Sequence, residues 1–411
     1  MKMLSFTHYL NEEKNLHMEH VDDLIFNKGI AGAREAFFFL SSIRDMLAGK
    51  TKSQVSATVK WDGAPSIFAG IDPADGKFFV AKKGLFNVKP KMYKTQEDIK
   101  NDLEGDLAAK FSIALEEFAK LGIKSGIYQG DLMFTKGDLK TEVIDGEKFI
   151  TFQPNTIVYA VPFVSGVASR LRAAKIGVVW HTTYTGKTLS SMKASFGKGI
   201  VDKLNNIPSV WMDDATYRDV SGSATMTEKE TSQVTALLSS AGSLLRTIPS
   251  AVLNAIATDE ELQIRVKTYN NSKIRAGQGI TSTRNHVKGL IDFIEAYYNK
   301  QIASVKTAAA KSKYTTIKKQ KVGVIANHFS DLVRVYEFYN ILVQAKTILV
   351  RKMNQAESLG TFLRTPNGFK VTTPEGYVAI DHLKGGAVKF VDRLEFSRAN
   401  FSADFVKGWQ R

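Results

Sequence analysis

The sequence predicts an α+β protein whose antiparallel sheet is interrupted by a mostly α-helical inserted domain. Three observations carry that expectation. Residues 53–188 are a succession of short β-branched and aromatic runs separated by turn residues. Residues 189–359 change to apolar positions that recur at helical spacing. Residues 360–411 return to strand texture, too little to form a sheet alone, so they complete the sheet begun before the insertion.

Residues 1–52 read as an N-terminal helical segment packed on the sheet domain. There "VDDLIF" and "AREAFFFLSSIRDMLAG" repeat their apolar residues at helical spacing and stop at Gly49. The strands that follow are "QVSATVKW", "PSIFAGI", "KFFVAKKG", "SGIYQGDLMF", "EKFITF", "NTIVYAV" and "KIGVVWHTTY", with "DPADG" and "DGE" marking hairpin turns. One helix breaks this series. It starts near Thr95, with Glu97 and Asp98 as further start signals, and runs through "DLAAKFSIALEEFAKLG" to Gly122. In the insertion the clearest helices are "TSQVTALLSSAGSLLRTI", "TRNHVKGLIDFIEAYYNKQIASV" and "VIANHFSDLVRVYEFYNILVQAKTILVRKM". The tail supplies strands in "GFKVTTPEGYVAIDHL" and "GAVKFVDRLEFS".

Composition narrows the function classes. Lys and Arg outnumber Asp and Glu by 56 to 41, a net charge of +15 that favours a polyanionic partner such as nucleic acid. The absence of cysteine excludes disulfides, thiolate zinc sites and a cysteine nucleophile, and it fits a reducing compartment. The N-terminus is too polar for a signal peptide, and no apolar stretch approaches the roughly 18 residues of a membrane span. A soluble, cytoplasmic protein with no membrane partner is expected.

The string "VKWDGAPS" sets Lys60 inside an otherwise buried strand, with Asp62 two residues on and Gly63 next. Alternation along a strand puts Val59 and Trp61 on one side and Lys60 and Asp62 on the other, so amine and carboxylate share one wall. Gly63 permits a sharp turn and a close backbone approach to a ligand. A lysine nucleophile must be partly deprotonated, which desolvation and nearby cations favour. The plainer alternative is a strand-end ion pair beside a turn.

This K-x-D-G string resembles the nucleophile motif of the covalent nucleotidyltransferases, the superfamily of ATP-dependent DNA and RNA ligases and messenger RNA capping enzymes. Further strings resemble that family's later motifs in order. "FFVAKKG" places Lys82 where arginine is usual, and "GIYQGDLMF" places Asp131 where glutamate is commoner. "NTIVYAVPF" offers Tyr159 or Phe163 against the purine. "TPEGYVAI" offers Glu375, and "GAVKFVDR" offers Lys389, with Val391 where a second lysine is usual and Lys384 or Arg393 as its substitute. The resemblance implies a nucleotidyltransferase (ligase adenylation) domain that binds ATP with Mg²⁺ or Mn²⁺. Lys60 is then the nucleophile and Lys389 the cation on the leaving phosphates. Asp131 and Glu375 are the metal carboxylates, and Val59, Asp62, Gly63 and Lys82 line the nucleotide.

The insertion carries a run, residues 299–322, with seven lysines and no acid. Lys306, Lys311, Lys313, Lys318, Lys319 and Lys321 form either a solvated face or a surface that tracks phosphates. No OB-fold fits after Lys389, which tilts the expectation toward an RNA ligase over a DNA ligase. The insertion inside the catalytic domain points to a divergent, phage-type branch. The expected partner is RNA with a 5′-phosphate end, sealed to a 3′-hydroxyl. Alternatives are transfer of the nucleotide to another acceptor, an RNA cap or a protein, and a weakened relative that only binds nucleic acid or serves assembly. His17, His20, His181 and His382 are scattered and read as structural.

Overall fold

The computed structural model describes residues 18–50, 55–196, 199–214, 216–217, 224–355, 360–366, 368–381, 383, 386–401, 405–406 and 408. Helix α1 (Leu24–Leu47) buries the apolar stripe that its sequence spacing anticipates, from Leu24 through Phe39 to Leu47. Gly29 bends it at φ 57°, a conformation favoured by glycine. There the chain lies close to Leu253 and Ala257, whose Cβ atoms are 3.6 and 3.7 Å from where a Cβ on Gly29 would stand.

The strands form three sheets rather than the single one expected. In the first, β1 (Val55–Lys60), β13 (Gly376–Asp381) and β14 (Ala387–Phe390) run antiparallel in that spatial order. The second has the order β10 (Val210–Asp213), β8 (Ile176–Thr185), β4 (Ile127–Thr135), β2 (Ser66–Ile71), β3 (Phe78–Lys82), with β9 (Lys193–Phe196) also on β8. The third has β12 (Gly368–Val371), β11 (Gly360–Thr365), β7 (Ile157–Pro162), β6 (Glu147–Phe152) and β5 (Lys140–Ile144). Every pairing is antiparallel except β10 with β8. Strands β1 and β2 adjoin in sequence but belong to different sheets, because residues 61–65 carry the chain from one to the other. Strands β9 and β10 fall in the stretch that sequence texture assigns to helix; the β region extends to Asp213.

The helix expected from Thr95 to Gly122 is two, α2 (Gln96–Asp102) and α3 (Gly105–Phe118). Thr95 and Asp98 form a reciprocal capping box, which fixes the start. The break falls at Leu103 and Glu104, both extended, before Gly105 at φ 58°. Helix α4 (Gly166–Ala173) follows β7.

Between β10 and β11 the chain forms α5 (Glu228–Leu245), α6 (Ser250–Ala257), α7 (Glu260–Arg275), α8 (Thr283–Ser304), α9 (Ala308–Asn327) and α10 (Phe329–Met353). After them β11 pairs with β7 and β13 with β1, and α11 (Arg393–Phe401) ends the described elements. Helix α1 shares one apolar core with these helices and with one face of the first sheet, including Ala57 of β1, Tyr377 of β13 and Phe390 of β14. A second core lies between the β4 sheet and α3, and a third holds Trp61, Met133, Phe152 and Tyr159.

Candidate functional site

Register decides what meets Lys60. Lys60 stands opposite Gly376, and Val378 lies between Thr58 and Lys389 across the three strands, so Lys60 and Lys389 emerge on one face. The opposite face, Val59, Tyr377 and Phe390, packs toward α1 and the helices. Glu375 immediately precedes Gly376, and its carboxylate forms an ion pair with the Lys60 amine. Gly376 has φ 150°, and a Cβ there would lie 2.7 Å from the Phe390 carbonyl oxygen, so glycine lets β13 start beside β14.

The other side of the cluster comes from β4. Gly63 carries the chain so close to that strand that a Cβ on it would stand 2.5 Å from the Cβ of Asp131. Asp131 alternates with Tyr128 and Leu132, which face α3, and so it points toward Lys60. His181 of β8 lies beside it, with Nε2 3.7 Å from Asp131 Oδ2 and Nδ1 2.7 Å from Thr182 Oγ1. Sequence reasoning passed over His181, since neither its neighbours nor its spacing carry a signal; only the β4–β8 pairing brings it to Asp131.

Burial and neighbouring charges compete in the cluster. Burial pulls the Lys60 amine down, but Glu375, Asp131 and Asp62 outweigh it and hold the pKa above its ordinary value. Burial lifts the Glu375 carboxyl to about 7 against the pull of Lys60, helped by Asp62 and Asp131. Burial also lowers His181, with Asp131 opposing and Lys60 assisting. Lys389 is lowered by burial and by Lys60, with Lys267 of α7 contributing. Lys60 is therefore a protonated ammonium here, and a cation that took over the carboxylates would remove what holds its proton. Among the described residues no three His, Asp or Glu side chains are grouped to hold a metal ion by themselves. Asp131 and Glu375 could hold a divalent cation when phosphate oxygens complete its shell, since both are hard oxygen donors.

Several expected contacts are absent from this cluster. Asp62 does not share the Lys60 wall. Its Oδ1 accepts from Asn155 Nδ2 at 2.7 Å and its Oδ2 from the Thr156 and Ile157 amides at 2.7 and 2.9 Å, which pins the start of β7. Lys82 pairs across from Ile67 and so faces α2, where it bonds Asp102 at 3.1 Å. Tyr159 accepts a bond from the Asp62 amide, and its ring lies between Trp61 and Phe152. Phe163 has Lys148 and Arg172 over its ring, at 4.9 and 5.0 Å. Arg393 forms a doubly bonded pair with Asp23 at 2.9 and 3.0 Å and also bonds Asn271. Val391 is buried against Gly376. Lys384, His17 and His382 lie outside the described residues. Val59 and the edge of Tyr159 border a separate cavity of about 470 Å³ with Trp61, Phe362 and Tyr377.

The lysine run forms much of α9. Lys306, Lys311, Lys313 and Lys319 are exposed and have no carboxylate partner among the described residues. Lys318 bonds Asn299 Oδ1 at 3.1 Å, and Lys321 pairs with Asp259, the N-cap of α7. Lys267 lies two turns along α7, about 12 Å by helical rise. Lys267 thus stands on α7 between the α9 contact at Asp259 and Lys389, whose pKa it lowers.

Residues 15–404 match the model of a family of unknown function, DUF6267. No curated protein and no solved structure matches the chain. No single helix among the described residues is long and apolar enough to cross a membrane.

Proposed function

The chain belongs to the DUF6267 family, and we propose that it is an ATP-dependent covalent nucleotidyltransferase acting as a polynucleotide ligase, with RNA favoured over DNA. One observation carries the proposal. Lys60 and Glu375, far apart in sequence, are joined as an ion pair by adjacent strands, with Asp131 and Lys389 charged beside them. Those four residues come from separate strings that resemble successive motifs of that superfamily. The same reading treats residues 53–188 and 360–411 as one nucleotidyltransferase domain, with the helices of 189–359 inserted in it and residues 1–52 packed against it.

In this mechanism Asp131 and Glu375 would hold Mg²⁺ or Mn²⁺, which would supply positive charge to the triphosphate. Lys60, its ammonium proton passed to solvent water, attacks the α-phosphorus of ATP; a P–N bond forms and the P–O bond to pyrophosphate breaks. Lys389 lies on the same face and neutralises the leaving phosphates. A 5′-phosphate oxygen of the RNA then takes the adenylyl group from Lys60, and the 3′-hydroxyl attacks that 5′-phosphate, releasing AMP. The exposed lysines of α9 supply sequence-independent affinity.

The test is incubation with α-³²P-ATP and Mg²⁺ or Mn²⁺. The wild-type chain is expected to carry label that Lys60→Ala lacks, and to seal a 5′-phosphorylated RNA nick. Absence of label with every nucleoside triphosphate and metal overturns the enzyme proposal. A second reading, a nucleic-acid-binding protein without transferase activity, is favoured by buried Val391 and by the turn of Lys82 away from Asp131. Salt-dependent RNA binding without label selects it.

A further inference from the structure

A second cavity, of about 470 Å³, lies where the C-terminal half of α7, the middle of α10 and the N-terminal turn of α11 meet. Its volume is in the range of small-ligand sites, roughly 300–1,000 Å³. The floor is charged and internally neutralised. Lys346 Nζ bonds Asp22 Oδ1 at 2.7 Å with both side chains buried, and Arg393 is held by Asp23. Buried charges paired in this way hold a fixed geometry.

The rim differs from the floor. Lys273, Arg351 and Arg398 border the cavity, and none has a carboxylate partner among the described residues. The Lys273 Nζ lies 5.3 Å from the centroid of the Tyr269 ring. Of the acids at the cavity, Asp392 is engaged in capping α11, accepting from the Glu395 amide at 3.2 Å. Glu395 also borders the crevice beside Glu375. The first turn of α11, capped by Asp392, lies on the same rim. Ile274, Ile280, Val343 and Leu394 supply an apolar wall.

We propose that this cavity binds a phosphomonoester of nucleotide size, its phosphate on Lys273, Arg351 and Arg398 and its base or sugar against Ile274, Ile280 and Val343. Cations without a carboxylate partner at a cavity rim suit an anion, and the apolar wall beside them suits an apolar body attached to it. A mononucleotide and the 5′-terminal nucleotide of a strand share that chemistry. The site does not depend on Lys60 chemistry, because none of its residues belongs to the Lys60 cluster.

The experiment uses the full chain and four probes: a 3′-fluorescein RNA hexamer with a 5′-phosphate, the same hexamer with a 5′-hydroxyl, and AMP and adenosine as competitors. Anisotropy is expected to show the phosphorylated hexamer or AMP binding about tenfold more tightly than the hydroxyl form or adenosine, respectively, as charge-assisted contacts require. Arg351→Ala with Arg398→Ala, both exposed positions, should erase that preference with an unchanged melting temperature, whereas Lys60→Ala should keep it. Preference by the hexamer alone identifies a strand end, and by AMP a free nucleotide. No phosphate preference, or one that survives the double substitution, overturns the proposal. Loss of preference in Lys60→Ala alone does so as well, since the phosphate is then read at the Lys60 cluster.

Discussion

Replacing Asp62 by alanine tests whether that carboxylate holds the fold or touches a nucleotide. Asp62 is 3% exposed, and its Oδ2 is the acceptor for two backbone amides, Thr156 and Ile157. Alanine leaves both N–H groups buried without that acceptor, and each such group costs about 1–3 kcal/mol. The sum, about 4 kcal/mol, is a large share of the roughly 5–15 kcal/mol by which proteins are stable. In urea unfolding with a slope of about 2–3 kcal/mol/M, the midpoint should fall by about 1.5 M. Asparagine is the milder change. Its oxygen can serve both amides, while its new amide faces Asn155 Nδ2, so Asn155 must turn its carboxamide over to accept through Oδ1, which has no hydrogen-bond partner among the described residues. A loss of about 1 kcal/mol is expected there. An unchanged midpoint in Asp62→Ala, alongside a tenfold weaker affinity for ATP, would refute the reasoning and return Asp62 to the nucleotide.

Three further outcomes follow from the charges. The Glu375 carboxyl, at about 7 against an ordinary 4.5, stays protonated in the folded chain where the unfolded chain has lost the proton, so its contribution to stability falls as pH rises from about 4.5 to 7. Glu375→Gln should flatten urea midpoints across that window; the same slope in both proteins contradicts the assignment. Asp22→Ala leaves the Lys346 ammonium buried without its carboxylate and should lower stability by about 3–5 kcal/mol. Adding Lys346→Met should recover much of that loss in thermal melts, and no recovery would show that the lost partner is not the cause. Substituting Lys311, Lys313 and Lys319 together by alanine should reduce the slope of log affinity for single-stranded RNA against log salt by about 2. An unaltered slope removes α9 from the interface.

Local chemistry was legible without the structure wherever it is carried by neighbours in the chain. Thr95 capped its helix as its pattern required, and β4, β7, β8 and β13 lie where alternating or continuous apolar runs placed them. Residues whose position depends on which face a strand turns were less legible. Lys82 is one residue away in phase from the face that carries Asp131, so a period of two sends it to α2. Arg393 and Tyr159 are basic and aromatic as expected, yet Asp23 holds the first, and Trp61 and Phe152 flank the second. His181 had no pattern to announce it.

The sequence by itself determined the α+β class, the basic charge and the presence of a strand lysine followed by a tight glycine turn. Those follow from periodicity, composition and backbone sterics, which act over a few residues. Only the tertiary structure decided that β1 pairs with β13 rather than β2, and hence that Lys60 meets Glu375. It also decided that Asp62 faces three donors at the start of β7 instead of the amine two residues before it. Pairing between distant segments is set by which faces must be buried together, and that is a property of the whole core rather than of any string within it.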